Sequence, residues 1–95
     1  MDEPIKTEPF AAIFKALAHP IRVLIVNALL EGEKCVLDIQ ELLQTSQPNV
    51  SQHLNTLRFA GIVDFHQRGN LRCYFLKEPE RIRSLFHCLS QEPNP

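Results

Sequence analysis

Apolar residues recur at helical spacing in five stretches of this chain and at alternating spacing in one. Phe10, Ile13, Phe14 and Leu17 fall at i, i+3, i+4 and i+7, the signature of a short helix with one apolar stripe. His19-Pro20 opens a second stretch, with Pro20 suited to a first helical position and Ile21, Leu24, Ile25, Ala28 and Leu29 as the expected buried stripe, widened by Val23 and Val26; Gly32 closes it. Val36, Ile39, Leu42 and Leu43 predict a third helix over 36–44, followed by Gln-Thr-Ser-Gln-Pro, which is turn chemistry. Val50, Leu54 and Leu57 predict a fourth helix, with Ser46 or Gln47 as its cap, Pro48 in its first turn and Gly61 just past its end. Ile82, Leu85, Phe86 and Leu89 predict a last helix over 79–89.

Between the fourth and last helices the period changes. Val63, Phe65 and Gln67 alternate with Asp64 and His66, Arg68-Gly69-Asn70 interrupts, and Leu71 to Leu76 resumes an extended, aromatic pattern. This predicts a β-hairpin with a glycine turn. The fold class is therefore mainly α with a small β-hairpin, a winged helix-turn-helix of order α-α-α-α-β-β-α. Residues 10–90 form the domain, with a mobile lead-in over 1–9 and a tail over 91–95.

The fourth helix carries the chemistry. Opposite its apolar stripe stand Gln47, Asn49, Ser51, Gln52, Asn55 and Thr56, uncharged side chains that both donate and accept hydrogen bonds, as reading base edges requires. Ser46, His53 and Arg58 flank this face and complete the candidate contacts on the helix, while Arg68, Asn70 and Arg72 lie at or beside the hairpin tip, within reach of phosphate or a minor groove. An ordinary surface helix would carry Glu and Lys. His53 sits beside the apolar stripe and suits a phosphate contact and plain packing equally.

Composition sets bounds on this reading. The 95 residues make one domain, and 44% hydrophobic content is ordinary for a globular protein. The net charge of -1 is unevenly spread: residues 1–45 carry four Lys or Arg against seven Asp or Glu, residues 46–95 six against four. A weakly basic face on an acidic body predicts modest, salt-sensitive binding to double-stranded DNA that two copies would tighten. An acidic N-terminus and the lack of a long apolar run predict a cytoplasmic protein without a membrane partner. No glycine-rich phosphate loop or paired catalytic carboxylates are present, so an enzyme is not expected. The competing class is a winged-helix module that binds another protein, which would more often centre on aromatic or aliphatic anchors.

In combination, Phe14-Lys-Ala-Leu-Ala-His-Pro-Ile-Arg22, Gly32-Glu-Lys-Cys-Val36, Ser46-Gln-Pro-Asn-Val-Ser-Gln-His-Leu54, Ala60-Gly-Ile-Val63 and Arg68-Gly69 resemble the ArsR/SmtB family of bacterial winged-helix repressors, in register over about residues 10–76. The resemblance implies a homodimer on an inverted-repeat operator, released when a metal, metalloid or reactive species reaches a sensor site. It also implies a dimer interface on the terminal helices, here Phe10, Ile13, Phe14, Leu17, Ile82, Leu85, Phe86 and Leu89.

The sensor is the unsettled part. Arsenic-sensing members carry three cysteines in a Cys-Val-Cys-Asp-Leu-Cys type motif, where this chain reads Cys35-Val-Leu-Asp-Ile-Gln40, so one thiolate remains. On the last helix only His87 and Cys88 could ligate zinc, and neighbours on a helix point roughly 100° apart. The candidate sensor residues are Cys35, Cys73 and Cys88, an odd set with no disulfide framework, expected as thiols in a reducing compartment. Three readings stand: small buried apolar residues, a Cys35–Cys88 dithiol switch between helices that pack together in this fold, or a thiolate site for a soft metal or metalloid ion, the one cofactor these residues leave open.

Overall fold

A computed structural model describes residues 4–91 and contains the five expected helices. The first, α1, runs Thr7–Leu17; its start takes in Thr7 to Pro9, which the sequence pattern placed in the lead-in. Pro9 fits there because amides of a first helical turn have no intrahelical acceptor. Residues 1–3 of the expected lead-in and 92–95 of the expected tail lie outside the described residues. At His19-Pro20 the chain bends by 95° into α2, Pro20–Leu29, whose first turn is capped by His19 Nδ1 accepting from the Ile21 N–H at 3.1 Å. No single described helix is long and apolar enough to cross a membrane.

The next element has no counterpart in the pattern: Lys34–Cys35 form a two-residue strand, β1. Then come α3, Val36–Leu43, and α4, Gln47–Phe59. Ser46 is the cap of α4, its Oγ accepting from the Asn49 N–H at 3.3 Å. The helix closes on Gly61 at φ 80°: Gly61 N–H donates to Arg58 O and Ile62 N–H to Leu57 O, the paired bonds of a glycine-ended helix. Strands β2, Val63–Arg68, and β3, Leu71–Leu76, make the expected hairpin, with Gly69 at φ 62° opening its two-residue turn. Helix α5, Pro79–Ser90, ends the described chain. The wing is thus a three-stranded antiparallel sheet, ordered β1-β3-β2, where a hairpin was expected. A two-residue strand carries no period, and only its pairing with β3 reveals it.

Side chains from every helix and from the hairpin build one core. Ile25, Val26, Ile39, Val50, Leu54, Leu57 and Val63 are fully buried, with Tyr74, Leu76 and Ile82 nearly so. Three expected stripe positions of α2 and α3 stay outside: Val23, Leu24 and Leu42 are exposed, because the buried face of α2 is centred on Ile25, Val26 and Leu29 and that of α3 on Val36 and Ile39. Together Val50, Leu54 and Leu57 anchor α4 on this core, which turns its polar face outward.

Candidate nucleic-acid interface

On that outward face Gln47, Gln52 and Asn55 are exposed, and among the described residues their side chains make no hydrogen bond within the chain. Ser51 is half-buried beside them. Other candidates are already engaged: Ser46 caps the helix, Asn49 Nδ2 donates to Thr45 Oγ1 at 3.0 Å, and Thr56 Oγ1 donates to the Gln52 carbonyl at 3.2 Å. A polar cleft of about 350 Å³ separates the start of α4 from the wing, lined by Gln47 and Ser51 on one side and Gln67, Asn70 and Arg72 on the other, with Val36 and Tyr74 between. One wall therefore offers amide and hydroxyl groups, the other an arginine over the Phe65 ring at 4.4 Å. The cleft can take a phosphate at the wing while the free amides of α4 reach base edges.

The remaining charged candidates are held by acids that the sequence pattern did not pair with them. Arg58 Nε donates to Asp64 Oδ1 at 3.0 Å and its guanidinium lies 4.8 Å from the Phe65 ring centre. The Phe65 backbone N–H bond and then Arg58 hold the Asp64 carboxyl below its ordinary value. Arg68 Nε lies 2.8 Å from Glu33 Oε2, and His66 Nε2 3.6 Å from Glu33 Oε1. Glu33 and Arg68 are 35 positions apart, so no local signal could have joined them.

His53 packs within the chain. Its ring centre lies 4.5 Å from that of His19, and Arg22 Nη1 donates to its Nδ1 at 3.2 Å. The same Arg22 donates through Nε to the Ala16 carbonyl at 2.6 Å, so one guanidinium at the start of α2 ties the end of α1 to the middle of α4. Partial burial, His19 and Arg22 all disfavour a charged imidazole and push the His53 pKa below its ordinary 6.5.

The cysteines do not pair as the dithiol reading expected. Cys35 and Cys73 face each other across β1 and β3 and are joined in a disulfide, with Cα atoms 3.7 Å apart, while Cys88 is free and exposed on α5. The expected all-thiol state and the Cys35–Cys88 switch are both corrected: strand pairing holds Cys35 against β3 and leaves Cys88 without it. Among the described residues no group of three or more His, Cys, Asp or Glu side chains is placed to hold a metal ion. Of the apolar positions expected at a dimer interface, Phe10, Phe14 and Leu89 are exposed, Ile13, Leu17, Leu85 and Phe86 are half-buried, and Ile82 belongs to the core of the single chain.

A family model described as bacterial regulatory protein, arsR family, matches residues 19–64. Over 87 residues the chain is 36% identical to an uncharacterised HTH-type transcriptional regulator of Methanocaldococcus jannaschii, covering 90% of this chain and 97% of that protein. It is 42% identical over 72 residues to the cadmium resistance transcriptional regulatory protein CadC of Listeria innocua, covering 75% of this chain but only 60% of CadC. Among solved structures, HlyU from Vibrio cholerae superposes with a TM-score of 0.79 at 29% identity, over 90% of this chain and 98% of HlyU.

Proposed function

Because this chain belongs to the ArsR family of bacterial regulatory proteins, a family of DNA-binding transcriptional regulators and not of enzymes, we propose that it represses transcription as a homodimer seated on an inverted-repeat operator. The observation that carries this reading is the polar face of α4, which holds Gln47, Ser51, Gln52 and Asn55; Gln47 and Ser51 also line a cleft whose far wall holds Arg72. Amides there match the paired donors and acceptors of base edges in a major groove, and Arg72 suits a backbone phosphate. Exposed Phe10 and Phe14, one turn apart on α1, and exposed Leu89 on α5 support self-association, because a second copy would take their apolar surface out of water. Two-fold pairing would set the recognition helices about 34–36 Å apart, one turn of DNA.

In this reading the protein works in the cytoplasm and leaves its operator when an effector acts through its cysteines. The paired Cys35 and Cys73 favour a thiol-based signal over a soft metal or metalloid ion. Sedimentation and a gel shift with the chain's own upstream DNA at two salt concentrations test the core of the proposal. A dimer bound at low salt and weakened at high salt is expected; a monomer at micromolar concentration, or no retardation at low salt, overturns it.

A further inference from the structure

The Cys35–Cys73 crosslink sits at the joint between the helix-turn-helix and the wing. Cys35 is the residue just before α3, where Asp38 Oδ2 accepts from its N–H at 3.3 Å, and Cys73 adjoins Arg72 of the cleft. In register, Cys35 opposes Cys73 and Cys73 opposes His66, so the three make one row across β1, β3 and β2. Opposed residues of antiparallel strands share a face. Above that face Glu33, two positions before Cys35, grips Arg68 at 2.8 Å and lies 3.6 Å from His66. The disulfide and the acid that occupies the wing arginine are therefore on the same short segment.

We propose that Cys35 and Cys73 form a redox-active pair that exchanges with low-molecular-weight disulfides, and that the oxidised form weakens operator binding by fastening Glu33 onto Arg68. The inference rests on the DNA-binding reading above and adds the site and its reagent. Cys73 is fully buried and Cys35 half-buried, so exchange begins at Cys35. Its thiolate attacks one sulfur of R–S–S–R, forming Cys35–S–S–R and releasing RS⁻; the Cys73 thiolate then attacks the Cys35 sulfur and releases the second RS⁻. The two thiol protons end on the two RSH products, and the two electrons lost by the cysteines reduce the reagent. With the S–S bond absent, β1 is held by the pairing of two residues alone, too short a strand to be firmly fixed. Glu33 moves with it, and Arg68 becomes free to meet phosphate.

Glutathione buffers spanning reduced to oxidised, with alkylation and mass mapping of the wild-type protein, test the pair directly. Cys35 and Cys73 should lose their thiols together in one intramolecular link while Cys88 remains alkylatable. Fluorescence anisotropy on operator DNA should show about a threefold to tenfold rise in Kd on oxidation, with a salt slope smaller by about one per protomer, as one phosphate contact is lost. Cys35→Ser should bind like the reduced protein in every buffer, and Glu33→Gln should still form the disulfide but lose most of the change in Kd. Oxidation that misses Cys35 and Cys73, or that links them without changing Kd, overturns the proposal; an unchanged response in Glu33→Gln overturns the role of Glu33. Because reduced and oxidised wild type are compared, a folding defect in either variant does not blur the outcome. No binding in either state at about 50 mM salt would sink the operator reading instead, and the mapped link would then still decide whether the pair is redox-active.

Discussion

Helix α4 and the wing differ in how free their polar side chains are. On α4 the exposed amides of Gln47, Gln52 and Asn55 have no partner among the described residues, whereas on the wing Arg68 is bound to Glu33 and Arg72 is laid over Phe65. A free amide can accept a base edge without breaking anything. An arginine already paired must exchange one anion for another, so its contribution to binding is reduced by the partner it leaves. The helix is thereby suited to selecting a sequence, and the wing to adjusting how tightly any sequence is held.

The largest change should come from beneath the helix. Leu54→Ala empties a fully buried position under the polar face and should destabilise the fold by about 2–5 kcal/mol, read as a shift of the urea midpoint. A loss below about 1 kcal/mol would show that α4 is not anchored as described. Next in size, Gln52→Ala should reduce discrimination between operator and random DNA by about 1–3 kcal/mol, measured by competition anisotropy. Arg72→Ala should act differently, weakening operator and random DNA alike and reducing the salt slope by about one. If both substitutions changed discrimination equally, the contrast between helix and wing would be wrong.

The smallest expected effect is on pH dependence. The pKa of His53 is lowered in the folded chain, so above its ordinary value of 6.5 both states hold it neutral and the folded packing is fully stabilising. As pH falls below 6.5 the unfolded chain takes up the proton first, and this stabilisation is lost as pH falls towards the lowered folded value. His53→Gln should therefore flatten the decline in stability between about pH 7 and 5, followed by urea unfolding. A mutant with the same slope as wild type would remove His53 from that account.

Much of the interface was legible because its signals are local. Val50, Leu54 and Leu57 show which face of α4 is buried, and once that is known the outward position of Gln52 and Asn55 follows from helical geometry. Ser46 and Gly61 bound the helix by their own conformational chemistry. The acids that hold the arginines were not legible: Asp64 is close to Arg58 in sequence but on another element, and Glu33 meets Arg68 only because the sheet brings the segment before β1 and strand β2 to either side of β3. The exposed Leu24 and Leu42 show a related limit, since an apolar stripe wider than the neighbouring surface cannot be wholly covered.

The amino-acid sequence by itself determined five helices, a hairpin, the polar reading face and the family to which they belong, because each depends on periodicity and turn chemistry over a few residues. Only the tertiary structure decided that Lys34 and Cys35 form a strand, that Cys35 meets Cys73 instead of Cys88, and that Arg68 answers to Glu33. Those choices join residues more than thirty positions apart, and their partners are selected by strand register and by packing of the whole core, which no local pattern encodes.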